Sequence, residues 1–157
     1  MAHPYYRTIF LIERLHRYFL EVVKAELDRR GVEDINNVQA LILYNIGESE
    51  LTVGELTAHG YYLGSNVSYN VRRMTENGYL EQHRSPHDRR SVRVRASAKG
   101  LETAKVLGAV FDQHVTAMEG TRLTEDGLAG VNETMASLER FWAGRLALPA
   151  TMLSGAE

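Results

Sequence analysis

The chain has no cysteine. That excludes a disulfide framework, a thiolate zinc site and a cysteine-based redox sensor. It has no apolar run of about 18 residues, the length a membrane-spanning helix needs. The start, MAHPYYRTIF, runs into charges at Glu13 and Arg14 and lacks the apolar core of a signal peptide, so a cytoplasmic protein is expected. Internal repeats and low-complexity segments are missing. No Ser/His/Asp or paired-carboxylate arrangement has local support, so an enzyme is not expected. The six histidines form no H-x-x-x-H pair on a helix; His83 and His87 are four apart, but across a strand and its tip. Neither a metal nor another cofactor is implied.

What is present is an ordinary apolar fraction of 44% and 157 residues, enough for one domain or for a small domain with an oligomerising extension. Charge is unevenly placed. Between Thr52 and Gly100 there are eight Lys/Arg and four Asp/Glu, whereas the remainder holds ten basic and sixteen acidic residues. A basic island in an acidic chain is a directed electrostatic footprint.

The island has a pattern. Thr52 and Glu55 form a T-x-x-E capping box before a short helix, Val53–His59, with Leu56 facing inward. Tyr61, Tyr62 and Leu63 make an apolar turn. A second helix is expected over Ser65–Asn77, closed by Gly78. At about 100° per residue, Val67, Val71 and Met74 share one face, and Ser65, Tyr69, Arg72, Arg73 and Glu76 lie near the other, flanked by Asn66, Ser68 and Asn70. Hydroxyl, amide, phenol and guanidinium groups are the types that meet base edges and phosphates. Two strands follow, Tyr79–His83 and Ser91–Ala96, around the turn residues Ser85-Pro86-His87-Asp88. Arg84, His87, Arg89 and Arg90 cluster at the tip, with Arg93 and Arg95 along one edge. Inserted arginine suits a narrow minor groove. Asp88 fits a structural role there, accepting hydrogen bonds from a nearby arginine.

The flanks are helical. Tyr5–Arg30 carries a long apolar stripe through Ile9, Ile12, Leu15, Phe19, Val22 and Leu27, more than one small domain covers. A nearly all-apolar helix, Val38–Ile46, is expected to be buried, and GESEL to be a turn with one short strand. After the hairpin, a helix over Ala98–Glu119 and a last one capped by Thr124, with Leu128, Val131, Met135, Leu138 and Trp142 in its stripe, complete the chain. Pro149 and the tail LSGAE mark the end of order.

The run GELTAHGYYLGSNVSYNVRRMTENGYLEQHRSPHDRRSVRVRASAKG resembles the MarR family of bacterial transcriptional regulators. The marks are Asp88-Arg89-Arg90, then Val92-x-Val94, then Ser97-x-x-Gly100, preceded by the joint Met74-x-x-x-Gly78-Tyr79-Leu80. The family usually has Leu-Thr where Ala96-Ser97 stands, a departure that keeps the capping chemistry. The turn YYLGSNVSYN looks like an alphaproteobacterial subgroup tied to cell-envelope control. The resemblance implies a mainly α fold with a small β hairpin. A winged helix-turn-helix over 35–97 would lie between dimerisation helices at 1–31 and 98–148. It implies a homodimer on a pseudo-palindromic operator in double-stranded DNA, with half-sites about one turn, about 10 bp, apart. Ser65, Ser68, Tyr69, Arg72 and Arg73 would meet the major groove, Arg90 the minor groove, and Asp88 would brace the wing. Family members often bind small-molecule effectors between the dimer helices and the winged domain. Tyr6, Phe10, Arg17, Tyr44 and Tyr62 are the candidate lining residues, the alternative being that they are simply core. The function expected is that of a repressor released by an effector. A winged-helix protein–protein adaptor that does not bind DNA is the alternative, but it would need no arginine wing. An RNA reader would need a stacking platform that the second helix lacks.

Overall fold

The computed structural model describes residues 3–58, 64–84 and 92–146. The order is α1 (Pro4–Arg29), α2 (Asn37–Ile46), β1 (Glu50–Thr52), α3 (Val53–Ala58), α4 (Gly64–Glu76), β2 (Leu80–Arg84), β3 (Val92–Ala96), α5 (Ala98–Met118) and α6 (Glu125–Leu146). Among the described residues no helix is long and apolar enough to cross a membrane.

Helix starts follow side-chain chemistry. Asn36 Oδ1 accepts from Gln39 N at 2.8 Å while Gln39 Oε1 accepts from Asn36 N at 3.1 Å, a reciprocal box at the head of α2. The box expected at α3 is also formed: Thr52 Oγ1 accepts from Glu55 N at 3.0 Å and Glu55 Oε2 accepts from Thr52 N at 2.6 Å. Ser97 Oγ accepts from Gly100 N at 3.1 Å to cap α5, and Thr124 Oγ1 accepts from Gly127 N at 3.1 Å to cap α6. Helix α4 ends at Glu76 and is closed by Gly78, whose φ of +76° is the left-handed conformation glycine adopts without strain. There Tyr79 N donates to Met74 O at 2.8 Å and Gly78 N to Thr75 O at 3.0 Å, which satisfies the last carbonyls of the helix.

The sheet is larger than a hairpin. Strand β3 lies in the middle, antiparallel to β2 on one side and to β1 on the other. The register pairs Leu80 with Ala96 and Arg84 with Val92 across β2–β3, and Leu51 with Val94 across β1–β3. The short stretch Glu50–Thr52 thus supplies the third strand immediately before α3.

Two apolar clusters hold the chain together. The larger joins Ile42, Leu43 and Ile46 of α2, Leu56 of α3, Val67, Val71 and Met74 of α4, Tyr79 and Leu80 at the joint, Val94 and Ala96 of β3 and Ala104 of α5. The smaller joins Val23 and Leu27 of α1, Ala40 and Leu41 of α2 and Leu107 of α5. Helix α2 therefore packs on one side against the rest of the winged unit and on the other against α1 and α5, which explains its nearly all-round apolar sequence. The outer helices are less covered. Stripe positions Ile9, Leu15, Phe19, Val22 and Val131 remain exposed in the single chain, as does Val115 of α5. On α5 Leu107 and Val110 are buried.

Candidate nucleic-acid interface

Helix α4 presents two chemically distinct faces. Val67, Val71 and Met74 are buried, as the helical spacing predicts. Asn66, Ser68, Tyr69, Arg72 and Arg73 are exposed on the opposite side. Tyr69 is 62% exposed, which leaves its ring and hydroxyl open to a ligand. One expectation is corrected: Asn70 does not flank the exposed face. It is only 7% exposed, because it falls at i+3 from Val67 inside the buried stripe.

The arginines of α4 are organised by Glu76. Arg72 Nε donates to Glu76 Oε1 at 3.0 Å and Arg73 Nη1 donates to Glu76 Oε2 at 3.2 Å. The Arg72 guanidinium, with Arg73 behind it, holds the Glu76 carboxyl below its ordinary range. These are exposed i,i+4 and i,i+3 pairs that restrict two long side chains at little cost to their release.

On the sheet, Arg95 is occupied as well. Its Nε and Nη2 donate to Glu81 Oε2 at 2.9 Å and 2.7 Å across the β2–β3 pair. That interaction holds Glu81 below the usual carboxylate range. So Arg95 serves the sheet as a cross-strand ion pair. Arg93, its neighbour on the same strand, is half-buried. The basic island is therefore less open than a count of charges suggests.

The other expected site residues divide by location. Ser65 falls in the first turn of α4 and Arg84 at the last position of β2. Tyr62, His87, Asp88, Arg89 and Arg90 lie outside the described residues. Of the effector candidates, Tyr44 packs edge-on against Phe111 of α5, with centroids 5.0 Å apart. Tyr6 has Tyr5 as its aromatic neighbour, and the Phe10 ring has the Arg14 guanidinium 6.0 Å away. Arg17 is exposed on α1.

A latch that spacing alone does not reveal fixes the joint after α4. Asp34, before α2, accepts from the Tyr79 hydroxyl through Oδ1 and from Lys99 Nζ at 2.6 Å through Oδ2. Lys99 also donates to Asn77 O at 3.2 Å and lies 4.0 Å from the Tyr79 ring centroid. Asn77 Nδ2 donates back to Asp34 O at 2.9 Å. Lys99 holds the Asp34 carboxyl below its ordinary value, with Tyr79 adding to the effect; burial pushes the Tyr79 hydroxyl up. Three segments distant in sequence thus meet at the end of α4.

A capped short helix, a second helix with an apolar and a polar face, and an antiparallel wing closed by β1 make a winged helix-turn-helix. The model of the MarR family matches residues 33–91, the span from the latch aspartate into the wing. The exopolysaccharide II synthesis transcriptional activator ExpG of Rhizobium meliloti is 36% identical over 138 residues, covering 88% of this chain and 71% of that one. The chain belongs to the MarR family. As a MarR-family protein it is a DNA-binding transcriptional regulator. Solved MarR-type structures share the fold. Streptococcus pneumoniae FabT, in complex with DNA, aligns with a TM-score of 0.70 at 19% identity, over 89% of this chain and 98% of its own. A mutant MarR from E. coli, complexed with operator DNA, aligns with a TM-score of 0.68 at 19% identity, over 82% and 90%.

Proposed function

We propose that this MarR-family regulator binds a pseudo-palindromic operator as a homodimer, with α4 of each copy in a major groove and the wing in the adjacent minor groove. The reading rests above all on one observation: α4 buries Val67, Val71 and Met74 and turns Asn66, Ser68, Tyr69, Arg72 and Arg73 outward. Arg72 and Arg73 leave Glu76 for bases or phosphates, and Arg90 enters the minor groove from a tip that Asp88 braces. Ser65, Arg84, His87 and Arg89 complete the contact set. Pairing uses the helices at 1–31 and 98–148, whose exposed Leu15, Phe19, Val115 and Val131 support an association surface.

Repression released by a small-molecule effector is the first reading of the switch. An effector would act through its difference in affinity for the two dimer shapes, in a cleft lined by Tyr6, Phe10, Arg17, Tyr44 and Tyr62. Activation is the second reading, and it is favoured by the name of the rhizobial relative, an activator of exopolysaccharide synthesis. That name also supports target genes of the cell envelope. Genome-wide selection of bound fragments at stated salt, followed by reporter fusions, reads operator, targets and sign together.

The contact assignments have their own test. Arg90→Ala lowers operator affinity by about tenfold with little change in melting temperature, and Arg72→Ala lowers affinity while also relaxing sequence preference. Unchanged affinity in the first variant removes Arg90 from the interface. An equal loss on operator and unrelated duplex in the second makes Arg72 a phosphate contact.

A further inference from the structure

The buried stripe of α4 has one polar member. Between Val67, Val71 and Met74 sits Asn70, and facing it from α2 is Gln39; each is 7% exposed. Gln39 Nε2 donates to Asn70 Oδ1 at 3.1 Å. The other end of the same amide is also committed, since Gln39 Oε1 accepts from Asn36 N at 3.1 Å in the α2 capping box. The next residue anchors this turn to α1: Asn37 Nδ2 donates to Leu20 O at 2.9 Å, and Asn37 Oδ1 accepts from Val38 N at 2.8 Å. Among the described residues no buried side-chain nitrogen or oxygen lacks a partner, so this polar contact is part of a fully satisfied interior.

We propose that Gln39 and Asn70 are positioning residues for DNA reading, fixing the roll of α4 about its own axis without touching DNA. The inference rests on α4 being the reading helix. The physical reason lies in the difference between apolar and polar packing. Two valines and a methionine set how deeply α4 sits, but their contacts are non-directional and methionine adapts its shape. A hydrogen bond between two buried amides is directional, and turning the helix away leaves a donor and an acceptor unsatisfied. A roll of about 10° moves an atom about 6 Å from the axis by about 1 Å, more than the spread of lengths a hydrogen bond tolerates. Tyr69 and Arg72, exposed on α4, would lose their aim by that amount. Gln39 suits the task because its carbonyl end is held by the cap and Asn37 holds the turn to α1, so the amide it offers to Asn70 comes from a fixed base.

The test uses the full chain and a random-sequence duplex library. Wild-type protein selects its preferred duplex, and affinities are then measured for that duplex and for a scrambled duplex of the same composition. Asn70→Leu, close in volume, keeps the cap and removes the grip. It is expected to lower affinity for the selected duplex by about tenfold while changing affinity for the scrambled one by less than about twofold. Asn70→Ser is the second variant, since its hydroxyl keeps a polar group at the site but stops short of Gln39, and the same split is expected. Val110→Ala, a cavity under α5, is the control for general loss of stability and leaves the ratio intact. Thermal melting is followed for all. An unchanged ratio in either folded Asn70 variant overturns the inference, as does an equal fall in Val110→Ala. Wild-type protein that enriches no sequence overturns the assignment of α4 as the reader, and this inference falls with it.

Discussion

The winged unit and the outer helices are built from similar amounts of apolar side chain but dispose of it differently. In the winged unit Leu43, Val67, Met74, Tyr79, Leu80 and Val94 are all 2% exposed or less. In α1 and α6 Leu15, Tyr18, Val131 and Phe141 are all about half exposed, between 49% and 56%. The first region completes its interior within one chain. The second leaves much of its hydrophobic stripes uncovered by the described residues of its own chain. The lesson is that a periodic apolar stripe predicts burial but does not say by whom.

The sharpest way to break the closed region is Gly100→Ala. A Cβ there would stand 2.3 Å from Tyr79 O, 3.1 Å from Leu43 Cδ2 and 3.3 Å from Ala96 Cβ. The first of these atoms is backbone and cannot swing away, so the expected loss is about 3 kcal/mol, read by denaturant melts. A variant that melts like the wild type would show that the joint is looser than its geometry implies. The complementary change is Leu15→Glu with Val131→Glu in the open region. Self-association should weaken by about a hundredfold in sedimentation, with circular dichroism of the helices largely kept. Unchanged association would move the dimer surface elsewhere.

The smallest expected effect concerns the latch. Because Lys99, and after it Tyr79, holds Asp34 below its ordinary value, the ionised latch contributes its full stability above the ordinary carboxylate range. That contribution is lost as pH falls through the depressed value. Both charged ends face solvent, so it amounts to less than about 1 kcal/mol. The difference in melting temperature between wild type and Asp34→Asn should favour the wild type near neutral pH and shrink towards zero in acid. A difference that is flat across that range would mean that the Tyr79 hydroxyl, not the ion pair, holds the joint.

Most of the winged unit was legible because its signals are local. The Thr52–Glu55 box, the spacing of Val67, Val71 and Met74, and the alternation at Val92–Ala96 each depend on residues within one or two turns. What escaped depends on distance. Asp34 meets Tyr79 and Lys99 across 45 and 65 positions, and no periodicity links them. Asn70 is different, for its place in the i, i+3, i+4, i+7 stripe was there to be read. Its amide suggested a place flanking the polar face, and position on the helix overruled chemistry. Charge counting had a similar limit: Arg95 counts towards the basic island, yet Glu81 opposite it on β2 takes up its donors.

Only Ser97 separates the end of β3 from the start of α5, and its hydroxyl donates to Gly78 O at 2.6 Å while capping the helix. The connection has no slack. Helix α5 is 21 residues, about 31 Å, so it behaves as a lever whose fulcrum is welded to the sheet. A tilt of about 5° at its far end, where a partner chain would press, would be a displacement of nearly 3 Å there and the same angular turn of the strand welded to it. An adjustment among the outer helices that tilted α5 as a rigid body would therefore turn the sheet with it, since a single bonded residue joins the two.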